Sequence, residues 1–393
     1  MPFSEDQFRA ILSGRRTDAT AALLRPLLGA ASLGYGLAAA VRNASYDRGL
    51  LRVRHVDVPV LSIGNITTGG TGKTPLVVWL CRQLTERTKL GTQNAGVAVL
   101  TRGYKGKRES GVRSQESGDR DEVALLAGAC PGVQVVVNPD RVAGAKLAID
   151  RGARVLVLDD GLQHRRLARD LDIVAIDATL PFGYGRLLPA GLLREPLAAL
   201  ARAQAAVVTR SDLAPPDRLA QIERVLRKIN PGLVIARAVH APTAVHLADR
   251  RTLGPADLAG RRAYAFCGIG NPEAFFRTLT RLGVDLAGTK AFDDHHACTR
   301  GEIERICQEA KATGADLILS TEKNWMSLGP AWFDGRTPAG YLEIRLELTA
   351  GREDLLGLIR AALDRSRAHG SNTTPAAGGP DKGDREAQCT NTC

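Results

Sequence analysis

Apolar residues fall into short continuous blocks separated by longer mixed segments. The first series is Val58-Pro59-Val60-Leu61-Ser62-Ile63, then Val97 to Thr101, Val133 to Val137, Val155 to Leu158, Ile173 to Ile176, Ala206 to Thr209 and Leu233 to Ala236. Runs that are apolar on both faces predict strands of a parallel sheet covered on both sides. The mixed segments between them read as helices, so the class is α/β. A second series follows at Ala263 to Cys267, Leu317 to Ser320 and Tyr341 to Leu348. Breaks at His240-Ala241-Pro242 and Leu253-Gly254-Pro255 put a boundary near 240–260. The expectation is a mostly parallel sheet with helices on both faces over 51–240 and a smaller α/β lobe over 241–365. From Ser366 to 393 the chain turns to Gly, Ser, Pro, Asn and charge, which predicts a disordered tail.

The N-terminal segment, 1–50, has its own pattern. Ala19 to Val41 is mostly apolar, interrupted by Arg25 and Pro26. The uncharged stretch from Pro26 to Val41 contains Gly29, Gly34 and Gly36. It is shorter than the roughly 20 residues that span a bilayer. Arg9, Arg15, Arg16, Arg25, Arg42 and Arg48 around it suit a helix lying on an anionic lipid surface. A helix packed on its own domain fits the same pattern. In outline a secretory signal fits too, but a nucleotide-binding motif some 30 residues further on argues for the cytosol.

Composition narrows the choice little. Of 393 residues, 44% are hydrophobic and 24% charged, ordinary for a globular chain. The net charge of +11 suits nucleic acid, an anionic membrane or a phosphorylated substrate. Aromatics are only 4% and no basic run is interleaved with them, which speaks against a single-strand stacking platform. No reading helix for nucleic acid is recognisable. The seven cysteines are an odd number without a CxxC pair, so neither a disulfide framework nor a zinc site is indicated.

The densest chemistry lies at Thr67-Thr68-Gly69-Gly70-Thr71-Gly72-Lys73-Thr74. A strand precedes it, and Pro75-Leu76-Val77-Val78-Trp79-Leu80 opens a helix after it. Strand, glycine loop, Gly-Lys-Thr and helix make a P-loop. Residues 68–74 would wrap ATP phosphates, Lys73 would reach the β- and γ-phosphates, and Thr74 would ligate Mg²⁺. The usual pattern begins with Gly where this chain has Thr67. Arg154-Val155-Leu156-Val157-Leu158-Asp159-Asp160 ends a strand in two carboxylates, as a Walker-B strand does. Either Asp159 or Asp160 could hold Mg²⁺ there. Gln163 and His164 follow on the next loop. Asp121-Glu122 and Asp293-Asp294-His295-His296 carry acid–base potential. Thr209-Arg210-Ser211-Asp212 loosely echoes a guanine-reading Thr-Lys-x-Asp, which keeps a P-loop GTPase, a metallochaperone or a ParA-like ATPase as rival readings.

These residues resemble the tetraacyldisaccharide 4′-kinase family. The matching segments are 59–66 running into 69–75, Arg102-Gly103-Tyr104, Asp159 to Arg165, Leu188 to Pro196, Phe266 to Pro272 and Asp294-His295-His296. The resemblance spans about residues 25 to 350. It implies transfer of the ATP γ-phosphate to the 4′-hydroxyl of an acylated glucosamine disaccharide 1-phosphate. It also implies a membrane-facing N-terminal helix and two α/β lobes closing over the substrate, at the cytoplasmic face of the inner membrane. Residue by residue, it gives Lys73 and Thr74 the phosphate loop, and Asp159, Asp160, Gln163 and His164 the Walker-B cluster. Glu195 falls to the Mg²⁺ site. Asp121 becomes the catalytic base and His295 its partner, with Asp294 beside it. Around that base the family has Gly-Asp-Glu-Pro where this chain has Arg120-Asp121-Glu122-Val123, so Asp119 is the nearby rival.

Overall fold

All five residues of the strand β1 (Val60–Gly64) are buried, and the same holds for β2 (Val97–Thr101) and β4 (Val155–Asp159). Continuous apolar blocks leave a strand no solvent face, so each must lie inside a sheet covered on both sides. In a computed structural model, which describes residues 5–86, 96–102, 125–294, 296–333 and 335–370, they do. β3 (Gln134–Val137), β2, β4, β1, β5 (Leu171–Asp177) and β6 (Ala205–Thr209) lie side by side and parallel. The P-loop strand β1 sits between β4 and β5, so the carboxylates ending β4 emerge beside the loop that leaves β1.

The sheet does not stop at the expected boundary. β7 (Val234–Leu247) pairs parallel with β6 through its first residues, then antiparallel with β12 (Ala339–Ala350). β8 (Thr252–Leu253) adds to β7. Beyond β12 come β11 (Leu317–Thr321), β9 (Arg262–Cys267) and β10 (Asp285–Ala291), again parallel. One 12-stranded sheet therefore runs through both lobes. Residues 240 and 241, where the sequence suggests a division, both lie inside β7.

Helices cover both faces. The helix α1 (Glu5–Ser13) leads into α2 (Ala19–Asp47), which Asp18 caps by accepting from the Ala21 N–H at 3.1 Å. After β1, α3 (Lys73–Thr85) buries Leu76, Val77, Leu80 and Leu84 against Leu61, Ile63, Val99 and Val157. The last helix, Arg352–Gly370, lies in the segment assigned by sequence to the second lobe, yet it packs on the first. Leu355, Leu356, Ile359 and Leu363 join the core around Leu171, Ile173 and Val207. Truncating one such leucine to alanine costs about 2–5 kcal/mol. The tail predicted from Ser366 begins inside this helix, which continues to Gly370, and its remainder, 371–393, lies outside the described residues.

Candidate active site

The chain leaves β1 through Asn65, which is fully buried. Its Nδ2 donates to the Thr67 carbonyl at 2.6 Å and to Thr71 Oγ1 at 3.0 Å. Those two bonds curl the loop. Gly69 and Gly72 take φ of +102° and +83°, the left-handed region that favours glycine. Gly72 then caps α3 without any side-chain hydrogen bond, so the first helical N–H groups face the cleft. Open N–H groups at a helix start favour an anion. From outside, Thr209 Oγ1 donates to the Thr71 carbonyl at 2.8 Å and Arg210 Nη1 to the Gly70 carbonyl at 2.7 Å. Arg210 also pairs with buried Asp177 at 2.5 Å, and Asp212 pairs with Arg281. The residues that echo a guanine-reading motif thus brace the loop and join the lobes.

Lys73 Nζ lies 3.3 Å from Asp160 Oδ1, so the P-loop lysine and the strand-end carboxylate meet. Asp160 stands at φ +55°, which turns its side chain off the strand. Arg194 Nη1 donates to both its oxygens, at 2.9 and 2.7 Å. Burial pushes the Asp160 carboxyl up, but Lys73 and Arg194 more than offset this and hold it below the usual carboxylate range. Asp159 is buried beside it, and the Arg141 guanidinium reaches the Asp159 carbonyl at 3.5 Å. Gln163 Nε2 donates to the Asn65 carbonyl at 2.9 Å and ties the two loops together. Burial, aided by Arg141 and Arg169, pushes His164 down to about 4, so it is neutral near pH 7.

Glu195 comes from the loop over 183–196 and is 2% exposed. Its Oε2 accepts from Asn43 Nδ2 and Arg202 Nη2, each at 2.8 Å. Its buried Oε1 has no hydrogen-bond partner among the described residues. Among those residues no three His, Cys, Asp or Glu side chains form a metal cage. Mg²⁺ needs none, since it is usually held by one or two carboxylates plus substrate phosphates and water. Thr74, Asp159 and Glu195 line one cleft, and the unpartnered Glu195 oxygen fits such an ion. Asp160 fits less well, because Lys73 and Arg194 already take its carboxylate.

One wall of the cleft is α2. Ser32 Oγ donates to the Leu187 carbonyl at 2.9 Å and Tyr35 to the Arg194 carbonyl at 2.8 Å. Arg165 donates to the Asn43 carbonyl at 3.1 Å and to Asp47 at 2.6 Å, and its guanidinium lies 5.1 Å over the Tyr46 ring. The helix thus turns polar side chains to the site. Its other side leaves Leu23, Leu27, Leu33 and Leu37 at least 60% exposed. Asn43 and Arg202 escaped the sequence reading, because nothing local marks them, while Arg165 closes the segment that begins at Asp159 but had no role there. Arg194 had a signal, its place next to Glu195.

The second lobe supplies the opposite wall. Asn271 Nδ2 donates to Asp177 Oδ2 at 2.9 Å and to Thr179 Oγ1 at 3.0 Å, while its Oδ1 caps the helix α6 (Pro272–Arg281). The helices between are α4 (Arg141–Asp150) and α5 (Pro216–Ile229). Arg9 of α1 donates to the Gly270 carbonyl at 2.9 Å. Asp294 pairs with Lys323 at 2.9 Å on the cleft wall. Asp119, Asp121 and His295 lie outside the described residues. Arg102 and Leu125, which bracket the segment carrying Asp121, both line the cleft, as does Asp294 beside His295. The cleft holds about 1860 Å³, more than the roughly 300–1,000 Å³ of a site for one small ligand. Such a space suits two substrates meeting between the lobes.

A family model described as tetraacyldisaccharide-1-P 4′-kinase matches residues 22–363. A tetraacyldisaccharide 4′-kinase of Anaeromyxobacter dehalogenans (strain 2CP-C) is 43% identical, over 78% of this chain and 82% of its own. One from Geobacter metallireducens is 40% identical, over 78% of this chain and 90% of its own. Among solved structures, LpxK from Aquifex aeolicus in complex with ATP superposes with a TM-score of 0.62 at 29% identity, covering 86% of this chain and 99% of that one.

Proposed function

The chain belongs to the tetraacyldisaccharide-1-P 4′-kinase family, and from that membership we propose how its cleft performs the reaction. The reaction moves the γ-phosphoryl group of ATP to the 4′-hydroxyl of an acylated glucosamine disaccharide 1-phosphate, a step of lipid A biosynthesis. The observation that supports this site is the meeting of Lys73 with the Asp159–Asp160 strand end, directly under a helix whose far side is apolar. Phosphates lie in the loop 68–74, and the acyl chains stay near α2. Lys73 neutralises charge that builds between the β- and γ-phosphates. Thr74, Asp159 and Glu195 would hold Mg²⁺, which would offset the negative charge of the phosphates. Asp160 positions Lys73, and Gln163 and His164 keep the Walker-B loop against the P-loop. Asp121 takes the proton of the 4′-hydroxyl, with His295 beside it and Asp294 anchoring that turn. Little proton abstraction is needed before a loose phosphoryl-transfer transition state, so a carboxylate suffices.

The exposed leucines of α2 and the basic residues near them support a cleft mouth that meets the anionic cytoplasmic face of the inner membrane, in a peripheral or monotopic arrangement. The test is incubation of purified protein with γ-labelled ATP, Mg²⁺ and an acylated disaccharide 1-phosphate in mixed micelles. Label should appear in a bis-phosphorylated lipid. Hydrolysis of ATP without labelled lipid would overturn the acceptor, and use of GTP in preference to ATP would overturn the donor.

A further inference from the structure

Among the described residues, twelve large apolar side chains stand exposed, and nine of them lie between Leu23 and Val53. Single exposed apolar residues are ordinary, but such a concentration marks a contact surface. Six belong to α2, and three follow its end. That end is a Schellman turn. The Leu50 N–H donates to the Ser45 carbonyl at 2.9 Å and the Gly49 N–H to that of Tyr46 at 3.1 Å, with Gly49 at φ +71°. Such turns often bury the residue at Leu50's place against the one at Ser45's, and a serine offers no apolar partner. Leu50 is left 72% exposed, and Leu51 and Val53 are exposed beyond it.

Arginines alternate with these residues. Arg48, Arg52 and Arg54 are exposed, and among the described residues their side chains have no ion pair or hydrogen bond. Arg48 falls seven residues after Val41, two helical turns on, so it ends the apolar stripe of α2. The backbone holds the run in place. The Arg54 N–H donates to the Arg166 carbonyl and the Ala168 N–H to that of Arg54, each at 2.8 Å. Arginines at the start of the chain are mostly taken: Arg9 holds the Gly270 carbonyl, Arg16 pairs with Asp18, and Arg25 donates to the Ile11 and Arg16 carbonyls, which leaves Arg15. Near the run, Asp47 is taken by Arg165, and Asp57 offsets only part of the charge.

We propose that residues 48–54 are the segment that selects anionic phospholipid, with Leu50, Leu51 and Val53 entering the bilayer interface and Arg48, Arg52 and Arg54 meeting lipid phosphates. This rests on the membrane reading of α2 and deepens it. The charge of the run and its continuity with the exposed stripe of α2 favour a lipid surface as occupant. Ser32, Tyr35 and Asn43 hold the polar side of α2 to the first lobe, so the helix lies along that surface with 48–54 at one end.

Flotation of the full chain with vesicles of phosphatidylcholine, alone or mixed with phosphatidylglycerol, tests the assignment. Each basic residue near an anionic surface contributes roughly fivefold, so the triple variant Arg48→Gln, Arg52→Gln, Arg54→Gln should lose on the order of a hundredfold in partition onto mixed vesicles. It should match the parent on phosphatidylcholine alone, and raised salt should bring the parent down toward it. Removing the same charge from α5, with Arg218→Gln, Arg224→Gln and Lys228→Gln, should leave both partitions unchanged. Leu50→Ser with Leu51→Ser should weaken binding to both vesicles. In neutral detergent micelles the arginine variant should keep the parental kcat. The assignment is overturned if the two triple variants fall together, the mark of net charge alone, or if the arginine variant binds mixed vesicles like the parent. An arginine variant that keeps vesicle binding but loses a dimer on a sizing column also overturns it and gives the segment to a second copy. A parent that binds neither vesicle sinks the membrane reading too, while labelling of lipid in micelles would leave the kinase reading standing.

Discussion

Two glycine-rich loops sit at the ends of parallel strands, one after β1 and one after β9, and each runs into a helix with proline in its first turn. In sequence they look alike: Gly69-Gly70-Thr71-Gly72 and Gly268-Ile269-Gly270. Their glycines answer different demands. Gly69 and Gly72 have positive φ, so the first loop needs glycine for its backbone conformation. Neither Gly268 nor Gly270 does, and the second loop needs glycine for space. A Cβ on Gly270 would fall 2.1 Å from the Gly70 nitrogen, inside any tolerable contact. The first loop is shaped by its own backbone conformation, and the second is shaped around the first. A glycine count says nothing of this; the neighbour decides.

If the first loop does the chemistry, Lys73→Ala should cost on the order of 10²-fold or more in kcat, because no other side chain in that loop carries a positive charge. A variant with parental kcat in a saturating assay breaks the comparison at its root. Gly270→Ala comes next. Its methyl meets backbone rather than a yielding side chain, which costs about 1–3 kcal/mol of overpacking. The expected result is roughly a tenfold fall in kcat/KM for ATP as the lobes shift. By contrast Gly69→Ala has open space, its nearest neighbour 3.7 Å away, and should show only the left-handed strain of about 1–2 kcal/mol. Equal losses in kcat/KM and in thermal stability for the two would erase the distinction between space and conformation.

Asn271→Ala sharpens the picture further. It removes the cap of α6 and the bonds to Asp177 and Thr179 that dock the second loop. A cap is worth about 1 kcal/mol, so chemical denaturation should show a loss of that order with much smaller change in kcat. The smallest effect concerns acid. His164 has its folded pKa at about 4, below the unfolded value of about 6.5, so the unfolded chain binds the extra proton first. The stability that a neutral His164 preserves is complete above pH 6.5 and is lost as pH falls toward 4. Since solvent partly screens this group, the drop should be no more than about 1 kcal/mol. His164→Gln should flatten that limb of the stability–pH curve; an unchanged slope contradicts the assigned burial.

Legibility followed distance along the chain. The P-loop and the Asp159–Asp160 strand end were readable because the residues that act together are consecutive. The parallel strands were readable because double-sided burial leaves unbroken apolar blocks. β10 was not: Asp285-Leu286-Ala287-Gly288-Thr289-Lys290-Ala291 is a sheet edge, and an edge need not be apolar. Of β7 only the start, up to Ala236, reads as a strand in the sequence, and His240-Ala241-Pro242 reads as a break. The structure absorbs the proline at a register shift against Glu343 and Ile344, where a strand residue can lack its N–H. The Asn43–Glu195 bond joins residues 152 apart, and no local pattern announces it. Asp121 and His295 remain readings from resemblance.

The route of the backbone sets an order of events during synthesis. β7 leads out of the first lobe, β12 leads back, and only then does the helix of 352–370 lie down on Leu171, Ile173 and Val207. A ribosome delivers the chain from its N-terminus, so residues 248–351 must emerge first, which takes roughly 5–20 s at ordinary rates. Throughout that interval the P-loop half shows an apolar sheet face to the cytosol, for want of a helix not yet made. A nascent chain stalled after β12 would hold every P-loop residue described here and still be a client for chaperones.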